Sequence, residues 1–354
     1  MGARWNRRAI LKRAAAGGAA SALGCPALLA GPSPNSTLCT AVIGSGGRGE
    51  ASLQAALGEK LVALVDVDDG RVAAAVKCAG ERGVKPSTFV DYRRMFDAVH
   101  KQIDAVFVAA PDHHHAPASM IAIQLGKHVF CEKPLCHDVH QARTLAAAAK
   151  KHNVVTLMGN QGHCGEGYRR LCEYVWAGAI GDIVETHSWI GFVNGGAGGR
   201  PPSKPVPAGL HWDEWLGPAP YRDYHDGLHP LYWRYWWDFG TGGLGDWGCH
   251  NLDGAFWALK MSPPASVECI KAVGGSDEQY PQGNHICWTV PVGAGKPPAK
   301  VHWYDGGQAP PLLDEFEKKY RRTFREGWNG GTFYIGTKGV MHTASYGESP
   351  RILP

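Results

Sequence analysis

Thr40-Ala41-Val42-Ile43-Gly44-Ser45-Gly46-Gly47-Arg48-Gly49 is the stretch that decides the fold. Thr40 to Ile43 make a short buried strand. The glycine-rich turn follows at once and opens into a helical pattern reaching Leu57. A second apolar run, Leu61-Val62-Ala63-Leu64-Val65, ends in Asp66. In a G-x-G-x-x-G turn between strand and helix, the missing Cβ atoms let the main chain approach a pyrophosphate, which rests on the helix N-terminus. Asp66 lies 22 residues after Gly44, where a carboxylate accepts hydrogen bonds from ribose hydroxyls. A lone glycine motif carries little weight. In its context of strand, turn, helix, strand and terminal Asp it specifies a dinucleotide site built from Gly44, Ser45, Gly46, Gly47, Arg48, Gly49, Asp66 and Val67.

The alternation continues outward. Helices are expected over 71–81, 92–99, 115–125 and 138–151, and strands over 103–109, 127–131 and 154–158. Helices alternating with apolar strands predict a doubly wound parallel sheet, here a Rossmann domain over 38–160, with ligands beyond the carboxyl ends of its strands. Three tracts fall at those ends and add Ala110, Pro111, His113, His115, Glu132, Lys133, Asn160 and Gln161 to the cofactor site. Three adjacent histidines, 113–115, in a strand-to-helix turn point in different directions, which argues against one metal ion and for a helix start beside the cofactor. No metal is expected. Asp66, Asp68 and Asp69 together would repel a 2′-phosphate, so NAD is expected in preference to NADP.

Four tracts carry a resemblance to the Gfo/Idh/MocA family, the glucose–fructose oxidoreductases, inositol dehydrogenases and their relatives. They are the 44–49 loop, Ala110-Pro111-Asp112-His113-His114-His115-Ala116, Gly126-Lys127-His128-Val129-Phe130-Cys131-Glu132-Lys133-Pro134, and Gly242-Gly243-Leu244-Gly245-Asp246-Trp247-Gly248-Cys249-His250. The resemblance runs from about residue 38 to the C-terminus. Residues 210–220, Leu-His-Trp-Asp-Glu-Trp-Leu-Gly-Pro-Ala-Pro, resemble a segment of exported family members. The resemblance implies an NAD-dependent oxidoreductase acting on a sugar or sugar derivative. It also implies a second domain whose open sheet covers the nicotinamide on one face, and homo-oligomers paired through the sheet face.

Past residue 160 the pattern changes, and a second, α+β domain is expected over 161–354. A helix over 168–177 precedes strands over 183–192, 267–273, 285–292, 300–304 and 332–342, a run that suggests an open, mainly antiparallel sheet. The Gly/Pro-rich stretch 194–220 is expected as a substrate-side loop. A helix over 244–259 would put Asp246 and His250, four residues apart, on one face. Oxidising a sugar hydroxyl removes a hydride from carbon and a proton from oxygen. An imidazole with a pKa near the working pH takes the proton, a carboxylate orients the imidazole, and a lysine steadies the oxygen as it becomes negative. His250 is thus assigned as acid/base, Asp246 as its partner or a sugar-hydroxyl ligand, and Lys133 as electrostatic stabiliser. The aromatic tract 229–239 reads equally as a platform for sugar C–H faces, with Arg234, Trp237 and Asp238, or as core or subunit contact. His163 is placed either at the substrate or in a structural role.

The first 31 residues read as an address. They hold Arg4, Arg7, Arg8, Lys12 and Arg13, no acid, and an Ala/Gly-rich run too short and glycine-rich for a stable membrane span. This pattern resembles a twin-arginine export signal, so a periplasmic or other extracytoplasmic location is expected. Without these five charges the formal +4 of the whole chain falls to about −1, which leaves no electrostatic footprint for nucleic acid or an anionic membrane. Ten cysteines stand singly, without a C-x-x-C pair, and imply neither a zinc site nor a disulfide framework.

Export bears on the reaction. No ready nicotinamide pool exists outside the cytoplasm, so the cofactor is expected to stay tightly bound and to be recycled within the site. A sugar oxidoreductase satisfies this. So does a redox-neutral glycoside hydrolase that oxidises, eliminates, hydrates and reduces. That branch has Tyr-Pro-Thr-His where this chain has Asp246-Trp247-Gly248-Cys249-His250, and a tyrosine base on the strand that here carries His187 and Trp189. A non-catalytic NAD-binding protein is the third reading, against which Lys133, Asp246 and His250 argue. Relatives usually continue past the 333–342 strand with a further helix, so a shortened second domain is expected from the ending at Pro354.

Overall fold

Six parallel strands form the first sheet of this computed structural model, which describes residues 37–191, 195–196, 199–293, 295–325 and 330–354. The export segment therefore lies outside the described residues. The strands are β1 (Cys39–Ile43), β2 (Lys60–Val65), β3 (Ser87–Phe89), β4 (Ala105–Val108), β5 (His128–Glu132) and β6 (Thr156–Gly159), in the order β3-β2-β1-β4-β5-β6. The order reverses between β1 and β4, which run parallel from Thr40 opposite Ala105 to Ile43 opposite Val108. A crevice opens at such a switch, beyond the strand ends. Ala41, Val42, Ala63, Leu64, Val106 and Val108 are fully buried, as expected of strands covered on both faces.

Asp residues start several of the intervening helices. The Asp68 side chain accepts from Gly70 N and Arg71 N ahead of Asp69–Glu81, Asp91 accepts from Arg93 N ahead of Tyr92–Val99, and Asp138 accepts from Gln141 N ahead of Val139–His152. Two details differ from the sequence reading. Helix Asp112–Gln124 begins three residues earlier than expected, so all three histidines lie in its first turns. β3 was not anticipated, because three residues are too few to show a period.

The second sheet holds β7 (Ile183–Trp189), β8 (Ser266–Val273), β9 (Gly283–Val290), β10 (Ala299–Tyr304), β11 (Gly331–Gly336), β12 (Val340–Ala344) and β13 (Arg351–Leu353), in the order β13-β12-β11-β7-β10-β9-β8. Every neighbouring pair is antiparallel except β7 and β10. The single strand expected over 332–342 is a hairpin, because the chain turns at Thr337-Lys338-Gly339 and Gly336 N–H donates to Gly339 O at 2.8 Å. Phe192, the expected end of the first strand, lies outside the described residues.

The continuous helix expected over 244–259 is also corrected. Leu244–Gly248 winds as a π-turn, Cys249–Asn251 forms a single turn, and α-helix resumes at Asp253–Leu259. Glycines at 242, 243, 245 and 248 weaken α-helical preference there. A Cβ on Gly243 would also sit 2.6 Å from Asp305 Oδ2, so the wide turn packs closely where a side chain would not fit. The aromatic tract resolves mainly as core. Trp233, Trp236 and Phe239 are buried with Trp212, Trp215, Tyr224 and Leu228. No helix among the described residues is long and apolar enough to cross a membrane.

Candidate active site

At the β1–β4 switch a cleft of about 510 Å³ opens, lined on one side by Gly44, Gly46, Gly47, Arg48, Asp66 and Val67. Gly44 has φ +83°, and a Cβ there would lie 2.7 Å from the Ala109 carbonyl; one on Gly49 would lie 2.1 Å from Gly44 O. The loop therefore folds only as glycine, and helix Gly49–Ala56 begins without a side-chain cap. Its first-turn N–H groups donate back into the loop: Gly49 N to Gly46 O at 3.0 Å, Glu50 N to Gly47 O at 3.2 Å and Ala51 N to Arg48 O at 3.1 Å. Asp66 Oδ2 accepts from Ser45 N at 2.8 Å and Ser45 Oγ at 3.1 Å, and Oδ1 accepts from Asp68 N at 3.1 Å. Ser45 and Gly49 shape the loop from behind and do not line the cleft. These residues fit a dinucleotide. The cradle is one that side chains would fill, and the acid ends β2.

Ala110, Pro111, His115, Glu132 and Lys133 line the facing wall. Arg48 Nε pairs with Glu132 Oε1 at 3.0 Å and ties the glycine loop to β5. His115 has Nδ1 2.6 Å from Pro134 O and Nε2 2.7 Å from Ala110 O. Carbonyl oxygens only accept, so this pair of neighbours favours the doubly protonated ring. Burial opposes that charge, but Cys131 and Asp112 outweigh it and push the pKa up to about 9. Asp112, itself raised by burial, accepts from Thr241 Oγ1 at 2.7 Å. His113 turns the other way. Its ring nitrogens face Trp215 O and Phe239 O in the aromatic core, away from the cleft.

The outer wall comes from the stretch after β7. Asp69 N–H donates to Gly209 O at 2.9 Å, His211 N–H donates to Val67 O at 2.8 Å, and Asp68 and Leu210 form a bridge. His211 Nε2 lies 3.0 Å from Asp69, and His229 Nε2 lies 3.4 Å from Asp68. Trp215, Gly217, His229 and Leu231 then line the cleft. The sequence reading placed 194–220 beside the substrate. Residues 209–211 instead run along the end of β2, at the Asp66 edge of the cofactor cleft.

At the inner end, Lys133 Nζ lies 2.5 Å from Asp246 Oδ1 and 2.7 Å from Asp246 O, with Arg234 Nε 3.6 Å from Asp246 Oδ1. Burial alone would raise the Asp246 pKa, but Lys133 and Arg234 lower it; burial would lower that of Lys133, but Asp246 and Cys249 raise it. Both groups are charged. His250 is nearly fully buried, and its Nδ1 lies 2.7 Å from Asn160 Oδ1. The Asn160 amide is oriented by its own Nδ2–H bond to Cys249 O at 2.8 Å, so Oδ1 faces the imidazole. His250 therefore donates from Nδ1 and keeps its lone pair on Nε2.

Two expectations change here. The group that orients His250 is Asn160, whereas the carboxylate of Asp246 is held by Lys133, because the π-turn removes the i,i+4 stacking an α-helix would give. The His250 pKa is not near neutrality: burial and Lys133 lower it to about 3. Asn160 and Gln161, expected at the cofactor, do not line the cleft; Gln161 is exposed.

Arg234 lines the cleft. Three other expected substrate residues have other partners. His163 pairs with Asp253 at 3.0 Å and stacks on Trp257; Trp237 donates to Ser276 O and lies against Tyr280; Asp238 binds Arg222 at 2.6 Å. Tyr346 was missed. Its ring packs edge-on to His250, at 4.8 Å between centroids, and it feels the charges of Lys133, Asp246 and Arg48. It arrives from the loop after β12, and no local motif marks it. Arg71, on the cleft wall beside Asp68, was missed for the same reason.

Residues 38–160 match the oxidoreductase family's NAD-binding Rossmann fold, and residues 185–278 match the family's C-terminal alpha/beta domain. Inositol 2-dehydrogenase 3 of Saccharopolyspora erythraea is 30% identical over 156 residues, 43% of this chain and 44% of that protein. Levoglucosan dehydrogenase of Pseudarthrobacter phenanthrenivorans is 27% identical over 180 residues, 51% of this chain and 38% of that protein. The matched stretch thus spans less than half the length of these curated relatives. Among solved structures, the WlbA dehydrogenase of Bordetella pertussis, in complex with NADH and UDP-GlcNAcA, superposes with a TM-score of 0.62 at 17% identity, covering 89% of this chain and 82% of that one. Two family domains matched in order, on the sheets just described, lead to one conclusion: the chain belongs to the Gfo/Idh/MocA oxidoreductase family.

Proposed function

We propose that this protein oxidises a hydroxyl of a sugar or sugar derivative with a tightly held, internally recycled NAD. The observation that carries the reading is the pairing of 209–211 with 67–69. Two main-chain hydrogen bonds, the Asp68–Leu210 bridge and the His211–Asp69 contact hold this stretch along the Asp66 edge of the cleft. The chain they anchor runs on to Trp215 and Gly217, which line the cleft, so these contacts slow the release of a cofactor seated behind it. NAD, when bound, supplies the hydride acceptor.

The chain's own residues supply the rest. Lys133, Asp246 and Arg234 bind and orient the reacting hydroxyl. The Nε2 lone pair of His250 takes its proton, and the Lys133 charge steadies the oxygen as the proton leaves. The low pKa leaves Nε2 unprotonated at neutral pH but makes it a weak base, so the transfer depends on Lys133 holding the oxygen as it becomes negative. Asp66 and Asp68 disfavour a 2′-phosphate, and NAD is the preferred dinucleotide. Arg71 pulls the other way, so the preference is tested directly. NAD is expected to bind at least tenfold tighter than NADP in a titration of stripped protein, and the reverse order would refute it. Following the sequence reading, the protein works outside the cytoplasm, and copies pair through the second sheet.

The test of the whole reading uses protein purified without added cofactor. Denaturation should release close to one NAD(H) per chain, and addition of an oxidisable sugar should reduce the bound cofactor in a single turnover. Protein that arrives empty and takes up no NAD sinks the reading. Cleavage of aryl glycosides with no net change in cofactor would move it to the redox-neutral hydrolase.

A further inference from the structure

A second constellation of polar side chains lies on the other face of the second sheet. Ser188 on β7 bonds to Asn251 O, so that face looks toward the active-site segment. Its neighbours Glu185 and His187, two residues apart on β7, share the opposite face. β10 runs parallel beside β7 with His302 directly opposite His187. His302 Nε2 is 2.9 Å from Glu185 Oε1, and His187 Nε2 is 3.4 Å from the same oxygen. One donor atom from each residue lies within 4.8 Å of the other two. Ligands about 2.0–2.1 Å from a tetrahedral zinc lie roughly 3.3 Å apart, close to the two distances from the imidazoles to the carboxylate.

The outer nitrogens are also held. His187 Nδ1 lies 3.0 Å from the Tyr304 hydroxyl, and His302 Nδ1 lies 3.1 Å from His285 Nε2. In the tautomer that donates outward from each Nδ1, both Nε2 lone pairs face the carboxylate, as a metal requires. Partners on the far nitrogen are what fix a metal-binding histidine's tautomer. His187 is 4% exposed, and its buried Nε2 has no hydrogen-bond partner among the described residues. A cation between them would take a lone pair from each of the three groups. Cys287, opposite His302 on β9, brings its sulfur to 3.7 Å from His302 Nε2 and favours a borderline-soft ion over magnesium or calcium.

We propose that Glu185, His187 and His302 bind a divalent transition metal of the zinc class, clamping β7 to β10, the one parallel pair in the sheet. The two imidazole rings stack nearly parallel, 4.8 Å between centroids at 5°. The site is independent of the proposed oxidoreductase chemistry and is read out without it.

The test takes tag-free full-length protein, strips it with chelator, desalts it and titrates it with zinc chloride, with magnesium and calcium chloride in parallel. One zinc per chain should survive gel filtration, and the melting temperature should rise by roughly 5 °C at a hundredfold excess over Kd. Glu185→Gln and His302→Ala should each weaken zinc binding by about 10–100-fold or more while circular dichroism shows a folded chain. If either variant is unfolded, Glu185→Asp, which keeps the carboxylate, should retain zinc. Stripped protein that retains no zinc overturns the proposal. So do folded variants that hold zinc as well as the parent, and binding of magnesium or calcium as tight as that of zinc.

Discussion

Asn160 and His250 show how one amide sets the tautomer of the imidazole proposed as the base. A neutral carbonyl oxygen holds the proton on Nδ1 and adds no negative charge that would favour imidazolium. Asn160→Asp would place a carboxylate there and raise the His250 pKa from about 3. The acid limb of the kcat/KM profile should then move to higher pH, whereas a purely structural Asn160 would lower the rate at every pH alike. Lys133 tests the other half of the site. Lys133→Met should cut kcat/KM by about 10²–10³-fold, the range for losing one stabilising charge or donor, while the NAD released on denaturation stays near one per chain. A change of less than threefold would remove Lys133 from the reaction. His250 was legible in the sequence because a histidine after a glycine run is a local pattern. Its partner was not, since Asn160 lies 90 residues away and only the junction of the two sheets brings them together.

At the level of elements, the proposed tight hold on the cofactor is tested at the strap over 209–211. Asp69 opens its helix, where proline is tolerated because the N–H has no intrahelical partner. Here that N–H donates to Gly209 O, and the same residue's carboxylate meets His211. Asp69→Pro keeps the helix start and deletes both contacts. The net worth of a hydrogen bond is about 1 kcal/mol, so cofactor dissociation should quicken by roughly fivefold or more, followed by fluorescence after dilution into a trap. An unchanged rate would show that the strap does not control release. The strap's location was hidden in the sequence, because Gly/Pro composition identifies a loop without saying which surface it crosses. The π-turn over 244–248 was hidden for a related reason. Its residues read as a helix, and only close packing against Asp305 and Leu244 shows where the helix must widen.

Across the whole molecule, buried histidines make stability pH-dependent on both sides of neutrality. His114, His250 and His342 have pKa values lowered by burial to about 4, 3 and 3. From pH 6.5 downward the unfolded chain takes up protons that the folded chain refuses, so stability falls, by about 1.4 kcal/mol per pH unit for each histidine. His115 has the opposite sign. Its pKa is raised to about 9, so its contribution is complete below pH 6.5 and is lost as pH climbs through 9. Urea midpoints measured from pH 4 to 10 should therefore peak near neutrality. His115→Gln should flatten the alkaline side and leave the acid slope in place; an unchanged alkaline side would show that His115 is not the buried imidazolium.

What the sequence determined by itself was local or periodic. The glycine loop with its terminal Asp66, the alternation of apolar strands with helices, and the Glu132-Lys133-Pro134 tract at a strand end all lie within a few turns of chain. Steric and hydrogen-bonding rules act at that range. Tertiary structure alone decided what joins distant segments. It put Lys133 on Asp246, Asn160 on His250 and Tyr346 beside them, sent His113 into the aromatic core, turned residues 332–342 into a hairpin, and set His302 against His187. These contacts depend on strand order and on which face each side chain takes, and neither leaves a periodic trace in the residues concerned.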